Sequence, residues 1–359
     1  MGTALKPQRV LVGIKTDKFR VDLRGVGCGW MVVAVISLFA LPLRGELLTA
    51  SYLPWWTSSD KTTSYFTSGA FDEQVGMLSE VVYFGEFQFD DNGNIHYAGT
   101  NIASGEASHW YIDQMQDTID RIRSVAPDTT LTFSIGGAGN SDSFAVVSST
   151  ADARETAASQ VRAILDRYGF DGVDLDWEGN SIPADDATVA TNYGLLAQTI
   201  AGELTGDESL SAAIQYNRYL AANAIEPYVD LIRVMTYDAP EHSAVGNHTS
   251  VEGTTYEIEQ MIAQGVLAEV LGVGAAFYGK TLGAWSGDIT YSDLDSQYFD
   301  ANGVYLPDDL TEWNDKGFDS VDSIAAKRDL AETLGLQEIF SWNLSQDSFY
   351  VDHWLPLTT

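Results

Sequence analysis

The sequence predicts an α/β fold, an eight-stranded parallel (β/α)8 TIM barrel with a modest excursion between the seventh strand and the last helix. Three observations carry that expectation. Apolar runs of strand length alternate with amphipathic stretches from residue 47 to residue 342, the pattern of repeated βα units whose strands pair in parallel. The runs number eight, enough to close a barrel. No glycine-rich phosphate turn follows the first run, which speaks against a doubly wound open sheet.

The elements follow in order. Strands are expected at residues 47–52 and 81–89, the second ending in the turn signal Asp91-Asn92-Gly93. Residues 110–125 read as a helix, because Ile112, Met115, Ile119 and Ile122 recur at helical spacing. A strand at 130–135 runs into Gly136-Gly137, and a helix at 151–168 carries Val161, Ile164 and Leu165 on one face. The fourth strand spans 170–178. Beyond it come a helix at 191–204, strands at 210–215 and 229–237, and a helix at 257–264. A strand at 269–277, a helix at 323–333 and a strand at 337–342 complete the series. Residues 281–320, rich in Asp, Gly and Tyr, form the excursion.

Ahead of the barrel, residues 1–24 are polar and basic, and residues 25–43 are uncharged for 19 positions. A basic lead before a short apolar run reads as a signal peptide, and the run just reaches the length of an N-terminal membrane anchor. Residues 1–45 are therefore assigned to export or tethering, with an extracellular location, and residues 46–359 to the barrel domain. Of 359 residues, 45% are apolar and 19% charged, enough for a sizeable core, and the net charge is −32. That acid excess argues against nucleic acid and anionic membranes, which need basic patches. It is also the balance of a protein kept soluble at high salt. Cys28 is the only cysteine, so the barrel has no disulfide, thiolate metal site or thiol nucleophile. The five histidines show no ligand spacing, and no metal or cofactor is expected.

The run Phe170-Asp171-Gly172-Val173-Asp174-Leu175-Asp176-Trp177-Glu178 places four acids within eight residues. Side chains alternate faces along a strand, so Asp174, Asp176 and Glu178 share one face and Val173, Leu175 and Trp177 the other. Like charges at close range raise one another's proton affinity, and such a coupled set keeps one acid protonated near neutral pH. Asp171 falls out of phase, as structural support at the strand entry. The C-terminal ends of barrel strands meet at one mouth. The residues expected there are Tyr52, Ser134, Glu178, Gln215, Tyr237, Asp238, Tyr278 and Trp342. An acidic, aromatic-rimmed cleft without a basic residue suits a sugar: ring faces stack on C–H surfaces and carboxylates handle protons. Trp55, Trp56, Trp110 and Trp285 divide evenly between packing and sugar contact.

The acid run resembles the Asp-x-x-Asp-x-Asp-x-Glu signature of family 18 glycoside hydrolases, the chitinases. Ser134-Ile135-Gly136-Gly137 is similar to that family's Ser-x-Gly-Gly strand, and Met235-Thr236-Tyr237-Asp238 to its Met-x-Tyr-Asp strand. Residues 319–343, with Ser323, Ile324, Lys327, Ser341 and Trp342, are similar to its last helix and strand. The resemblance implies hydrolysis of β-1,4 links between N-acetylglucosamine units by substrate-assisted retaining catalysis. It implies Glu178 as general acid and later base, and Asp176 as the clamp on the substrate's acetamide. Asp174 would lie beneath, sharing a proton with Asp176 and supported by Ser134 and Tyr52. Tyr237 would bond the acetamide carbonyl and Asp238 a sugar hydroxyl; Trp342 would floor the reacting sugar, with Met235 close by. The implied partner is chitin or another N-acetylglucosamine-containing polysaccharide, met by a secreted monomer.

Two places depart from the family pattern. Gly179-Asn180 stands where members commonly carry Tyr-Pro, and Ala138 where many carry a tryptophan, which thins the leaving-group side of the cleft. The alternatives are an endo-β-N-acetylglucosaminidase, a peptidoglycan-directed hydrolase, or a sugar-binding barrel without catalysis. The last kind typically lacks the final acid, present here as Glu178. A calcium loop is another reading of Asp174-x-Asp176-x-Glu178-Gly179, although Leu175 and Trp177 suit a loop poorly.

Overall fold

Strands that are apolar on both faces must be covered on both faces, and here they close on themselves. The computed structural model describes residues 46–58, 64–67, 69–103, 110–179 and 182–347. The segment read as signal peptide or anchor, and Asn180, lie outside the described residues. Eight parallel strands, β1 to β8 in chain order, span Leu48–Pro54, Glu80–Phe84, Thr130–Gly136, Gly172–Asp176, Ser209–Gln215, Leu231–Met235, Leu271–Ala276 and Glu338–Trp342. They form a closed barrel in which β1 pairs with both β2 and β8. Among the described residues, no helix is long and apolar enough to cross a membrane.

The period-two alternation separates two apolar regions. Outward-facing Phe133, Ile135, Val173, Leu175, Leu210, Ala212, Ile232 and Val234 are fully buried beneath the surrounding helices. Inward-facing Tyr52, Val82, Phe84, Ala213, Tyr237, Ala276 and Phe340 form a smaller cluster within the barrel. The helices Trp110–Val125, Ala151–Tyr168, Ala187–Glu203, Val251–Ala263 and Val321–Leu334 stand between strands. Their ends are set locally. Asp186 Oδ1 accepts from the N–H groups of Thr188 and Val189 at 2.8 and 3.1 Å, and Ser320 with Ser323 forms a capping box.

Asp171 does support the entry to β4. Its Oδ2 accepts from Arg123 at 2.7 Å and from the Leu131 N–H at 2.8 Å, tying the helix Trp110–Val125 to β3 and β4.

Several boundaries differ from expectation for definite reasons. The strand expected at 81–89 leaves the barrel after Phe84. A side chain at Gly85 would come within 2.5 Å of the Tyr97 ring, so the chain can turn there only as glycine. Phe87–Phe89 then pairs antiparallel with Ile95–Tyr97, around a turn in which Asp90 Oδ1 accepts from Asn92 and Asn94, both at 2.9 Å. The fourth strand stops at Asp176 rather than Glu178. Beyond it the Glu178 N–H turns to Ser141 Oγ at 3.1 Å instead of to a neighbouring strand. The helix expected at 257–264 begins at Val251, capped by Ser250. Helices Phe144–Ser149 and Tyr219–Ile225 were not anticipated; both are too short for a clear helical period. The excursion is a four-stranded antiparallel sheet of Tyr278–Thr281, Ile289–Thr290, Glu312–Trp313 and Lys316–Gly317, with a helix at Tyr291–Asn302.

Trp177 fixes the chain just past β4. It is fully buried, stacked on Phe144 (5.3 Å between centroids) and edge-on to Tyr193 (5.0 Å). Trp177→Ala is expected to cost about 3–5 kcal/mol of stability, read as a lower urea midpoint at unchanged slope.

Candidate active site

The site grows from how β3 and β4 end. Gly136 and Gly137 both have positive φ, 107° and 92°. A side chain at Gly136 would come within 2.2 Å of the Asp176 carbonyl, and one at Gly137 within 2.3 Å of the Phe84 ring. Only glycine permits this approach. It lets the Gly137 N–H donate to the Asp176 carbonyl at 2.7 Å. Ser141 closes the clamp: its hydroxyl lies 3.0 and 3.1 Å from the Gly137 and Asp176 carbonyls and accepts from the Glu178 N–H at 3.1 Å. The backbone from Asp176 to Glu178 is thus pinned to the loop after β3.

Asp174 sits lowest and is fully buried. Its Oδ2 accepts from Tyr52 at 3.0 Å and Ser134 at 2.9 Å; its Oδ1 accepts from Ser211 at 2.7 Å and Arg233 at 3.2 Å. Partners from four other strands thus meet both Asp174 oxygens. Asp176, one step higher, is 3% exposed, and its Oδ1 is buried without a hydrogen-bond partner. Burial, then the neighbouring Glu178 and Asp174 charges, push its carboxyl well above the usual range. Glu178 is partly exposed at the mouth. Burial pushes it up to about 7 against the Ala138 N–H, which favours the charged form; the Asp238 charge adds to the rise. The strand placement of Asp174 and Asp176 inside a barrel also removes the calcium-loop reading.

On the opposite wall, burial and the nearby Asp176 and Glu178 charges raise the Tyr237 phenol well above its usual value, so it remains a hydrogen-bond donor. Asp238 has a positive φ of 60°. It accepts from Tyr278 Oη at 2.6 Å, lies 3.2 Å from His248 Nδ1 and pairs with Lys280 at 2.9 Å. Burial pushes Asp238 up, but His248, Tyr278 and Lys280 together hold it below the usual carboxylate range.

These groups line a cleft of about 550 Å³. Of the residues named from sequence, Tyr52, Asp176, Glu178, Gln215, Met235, Tyr237, Asp238, Tyr278 and Trp342 face it. Ser134 and Asp174 lie beneath its floor, both fully buried. Trp342 stands edge-on to Phe84 at 4.8 Å. Trp55, Trp56 and Trp285 also line the cleft, whereas Trp110 lies against Tyr111, 3.6 Å between ring centroids, and does not line it. The cleft is not free of basic groups as expected. Arg218 lines it, and Lys280 stands behind Asp238. Asn247 and Asn343, each within a glycosylation pattern, are buried.

Sequence reasoning missed Ser141, Ser211, His248 and Arg233. The only signal for Arg233 was a charge inside the otherwise apolar Leu231–Met235, matched by Glu80 and Glu338 at the starts of β2 and β8.

Chemically, the arrangement offers two adjacent carboxyls whose proton affinity burial raises, a phenol donor and an aromatic platform. Comparison with known proteins agrees. Residues 49–347 match the model of glycosyl hydrolases family 18. Chitinase A1 of Niallia circulans is 27% identical over 304 residues, a match covering 64% of this chain and 42% of that protein's length. A class V chitinase of Medicago truncatula is 28% identical over 292 residues, covering 65% of this chain and 73% of its own. The crystal structure of a family 18 chitinase from Cycas revoluta in complex with (GlcNAc)3 superposes with a TM-score of 0.65 at 20% identity, covering 84% of this chain and 96% of that one. That likeness speaks to the fold, while the family model spans nearly the whole barrel. The chain belongs to glycosyl hydrolases family 18, and is a glycoside hydrolase.

Proposed function

We propose that the protein is a chitinase that hydrolyses β-1,4 links between N-acetylglucosamine units with retention of configuration, the substrate's own acetamide oxygen acting as nucleophile. The observation that carries this reading is the pair Asp176 and Glu178. They lie two residues apart at and just past the end of β4, Asp176 buried with its Oδ1 unpartnered and Glu178 at the mouth, and burial raises the proton affinity of both. Glu178, partly exposed at the mouth, protonates the glycosidic oxygen and later deprotonates the incoming water. Asp176 turns its unpartnered Oδ1 to the acetamide, whose nitrogen carries the charge that develops as the ring closes. Tyr237 donates to the acetamide carbonyl from the facing wall, Trp342 stacks under the reacting sugar, and Asp238 with Gln215 holds polar groups of the sugar. Chitin is an extracellular polymer, so this substrate accords with a secretory reading of residues 1–45.

One observation favours a second substrate class. Arg218 faces the cleft, its Nη2 is 3.4 Å from the Gly179 carbonyl, and no carboxylate among the described residues pairs with it. A guanidinium so placed suits a glycan with an acidic substituent, and assays on bacterial cell wall beside chitin separate the two.

The test is turnover of N-acetylchitotetraose with the first-formed anomer followed by NMR. Retained β-anomer supports the mechanism, and inverted product sinks it. Glu178→Gln is expected to lower kcat by roughly 10²–10⁴-fold while oligosaccharide binding persists; binding is read by calorimetry. The pH profile has a definite sign. The acid form of Glu178 is the active one, so kcat/KM is expected to fall as pH rises through about 7. A profile still rising above that pH contradicts the assignment.

A further inference from the structure

Arg218 stands in the turn after β5, and its surroundings say which sugar of a bound chain it would meet. Its N–H donates to the Gln215 carbonyl at 3.1 Å, and its carbonyl accepts from the Ala222 N–H at 3.0 Å. The residue is thereby fixed at the head of the short helix Tyr219–Ile225, with its side chain lining the cleft. The acceptors it finds among the described residues are neutral: Asn217 Oδ1 for Nη1, and the Gly179 carbonyl for Nη2 at a long 3.4 Å. Its Nε is buried and has no hydrogen-bond partner among the described residues. Burial holds its proton affinity below the ordinary arginine value, with the Tyr216 phenol acting the other way. A cation partly withdrawn from water without a counter-charge is costly, and a matching anion recovers that cost.

The side of the cleft follows from the proposed reaction. Asp176, Tyr237 and Trp342 hold the reacting sugar, and Glu178 protonates the oxygen that joins it to the next. The leaving sugar therefore lies beyond Glu178. Residues there are small or polar. Gly179, at φ 82°, directly follows Glu178, and a side chain on it would meet no described atom within 4 Å. Ala138 lines the cleft and directs its N–H to Glu178. Asn140 and Asn217 line the cleft from the loops after β3 and β5. Arg218 reaches the same place, since its Nη2 faces the carbonyl of the residue after Glu178. This side thus offers open space, amides and a guanidinium instead of a flat ring.

The acids of the cleft leave that guanidinium uncompensated. Asp238 is paired with Lys280 at 2.9 Å, and burial raises the proton affinity of Asp176 and Glu178. Glu241 Oε1 accepts from Tyr216 Oη at 2.6 Å. Glu86, the other carboxylate lining the cleft, follows β2, so β3 and β4 stand between it and the strand that carries Arg218.

We propose that Arg218 is a specificity-determining residue that forms, with Asn217, a subsite for a carboxylate-bearing sugar on the leaving side of Glu178. The subsite rests on the reading of Glu178 as general acid, which fixes that side, and it places the acidic substituent on the sugar that departs. The carboxylate meets the Nη1 and Nη2 fork, whose planar geometry matches two oxygens at once. The same fork gives a neutral sugar only uncharged hydrogen bonds, which are weaker.

The test measures a preference in the full chain. Two chitobiosides, with 3-carboxyphenyl and 3-carbamoylphenyl as leaving groups, differ in charge and hardly in shape. The ratio of their kcat/KM values is compared between wild type and Arg218→Gln, so that the difference in leaving-group acidity cancels. The wild type is expected to favour the carboxylate about tenfold more than Arg218→Gln does, the size of one charge-assisted hydrogen bond. Arg218→Lys is expected to keep part of the preference, and added salt to shrink it by screening. Chitobiosyl trisaccharides whose leaving sugar bears a 3-O-lactyl ether or a C6 carboxylate, each set against triacetylchitotriose, tell which kind of sugar acid is taken. A preference for any of these carboxylates that Arg218→Gln removes supports the proposal. Ratios equal in wild type and Arg218→Gln for every pair overturn it. If none of the compounds is turned over, the same ratios are read as dissociation constants by calorimetry. An Arg218-dependent preference in binding without turnover would remove the chitinase reading and leave the carboxylate site standing.

Discussion

Asp174 can be buried at the centre of the barrel because four strands each send it a donor: Tyr52 from β1, Ser134 from β3, Ser211 from β5 and Arg233 from β6. An unpaired carboxylate at that depth would cost far more than a domain's net stability. Convergence of this kind needs a closed sheet, since an open one leaves its centre strand with neighbours on two sides only. The rest of the site stands on that base. A fully bonded acid below makes the acid above it, Asp176 with its unpartnered Oδ1, chemically distinct.

Much of this was legible in the sequence, and the misses have physical causes. The eight strands and their order followed from hydrophobic period alone, because each barrel strand is apolar on the side facing the helices whatever it carries within. The phase of the acid run held: Val173, Leu175 and Trp177 pack outward while Asp174 and Asp176 face in. Its end did not, because the stop after Asp176 is imposed by Ser141 and Gly137 from another loop. A strand's own residues carry no record of such a partner. Arg233 went unnoticed for a related reason. A lone arginine in a strand normally marks solvent, and its meaning here depends on Glu80, Glu338 and the vacant face of Gly272, which are distant in sequence.

The cleft chemistry was read correctly in kind but too simply in charge. Aromatic walls and acids were expected without a base, yet Lys280 and Arg218 are both there. They act differently. Lys280 is neutralised against Asp238 and stiffens a wall; Arg218, without a carboxylate beside it among the described residues, contributes a net field to the opening.

The antiparallel sheet inserted after β7 has a bearing on how far this barrel could be trimmed. Tyr278 and Lys280 both lie on its first strand, and both hold Asp238. The insert is therefore not an appendage that a smaller scaffold could shed. A minimised version would keep the eight strands and yet leave Asp238, at its positive φ, with His248 but without Tyr278 and Lys280, so any transplant of this site must carry the Tyr278–Thr281 strand with it.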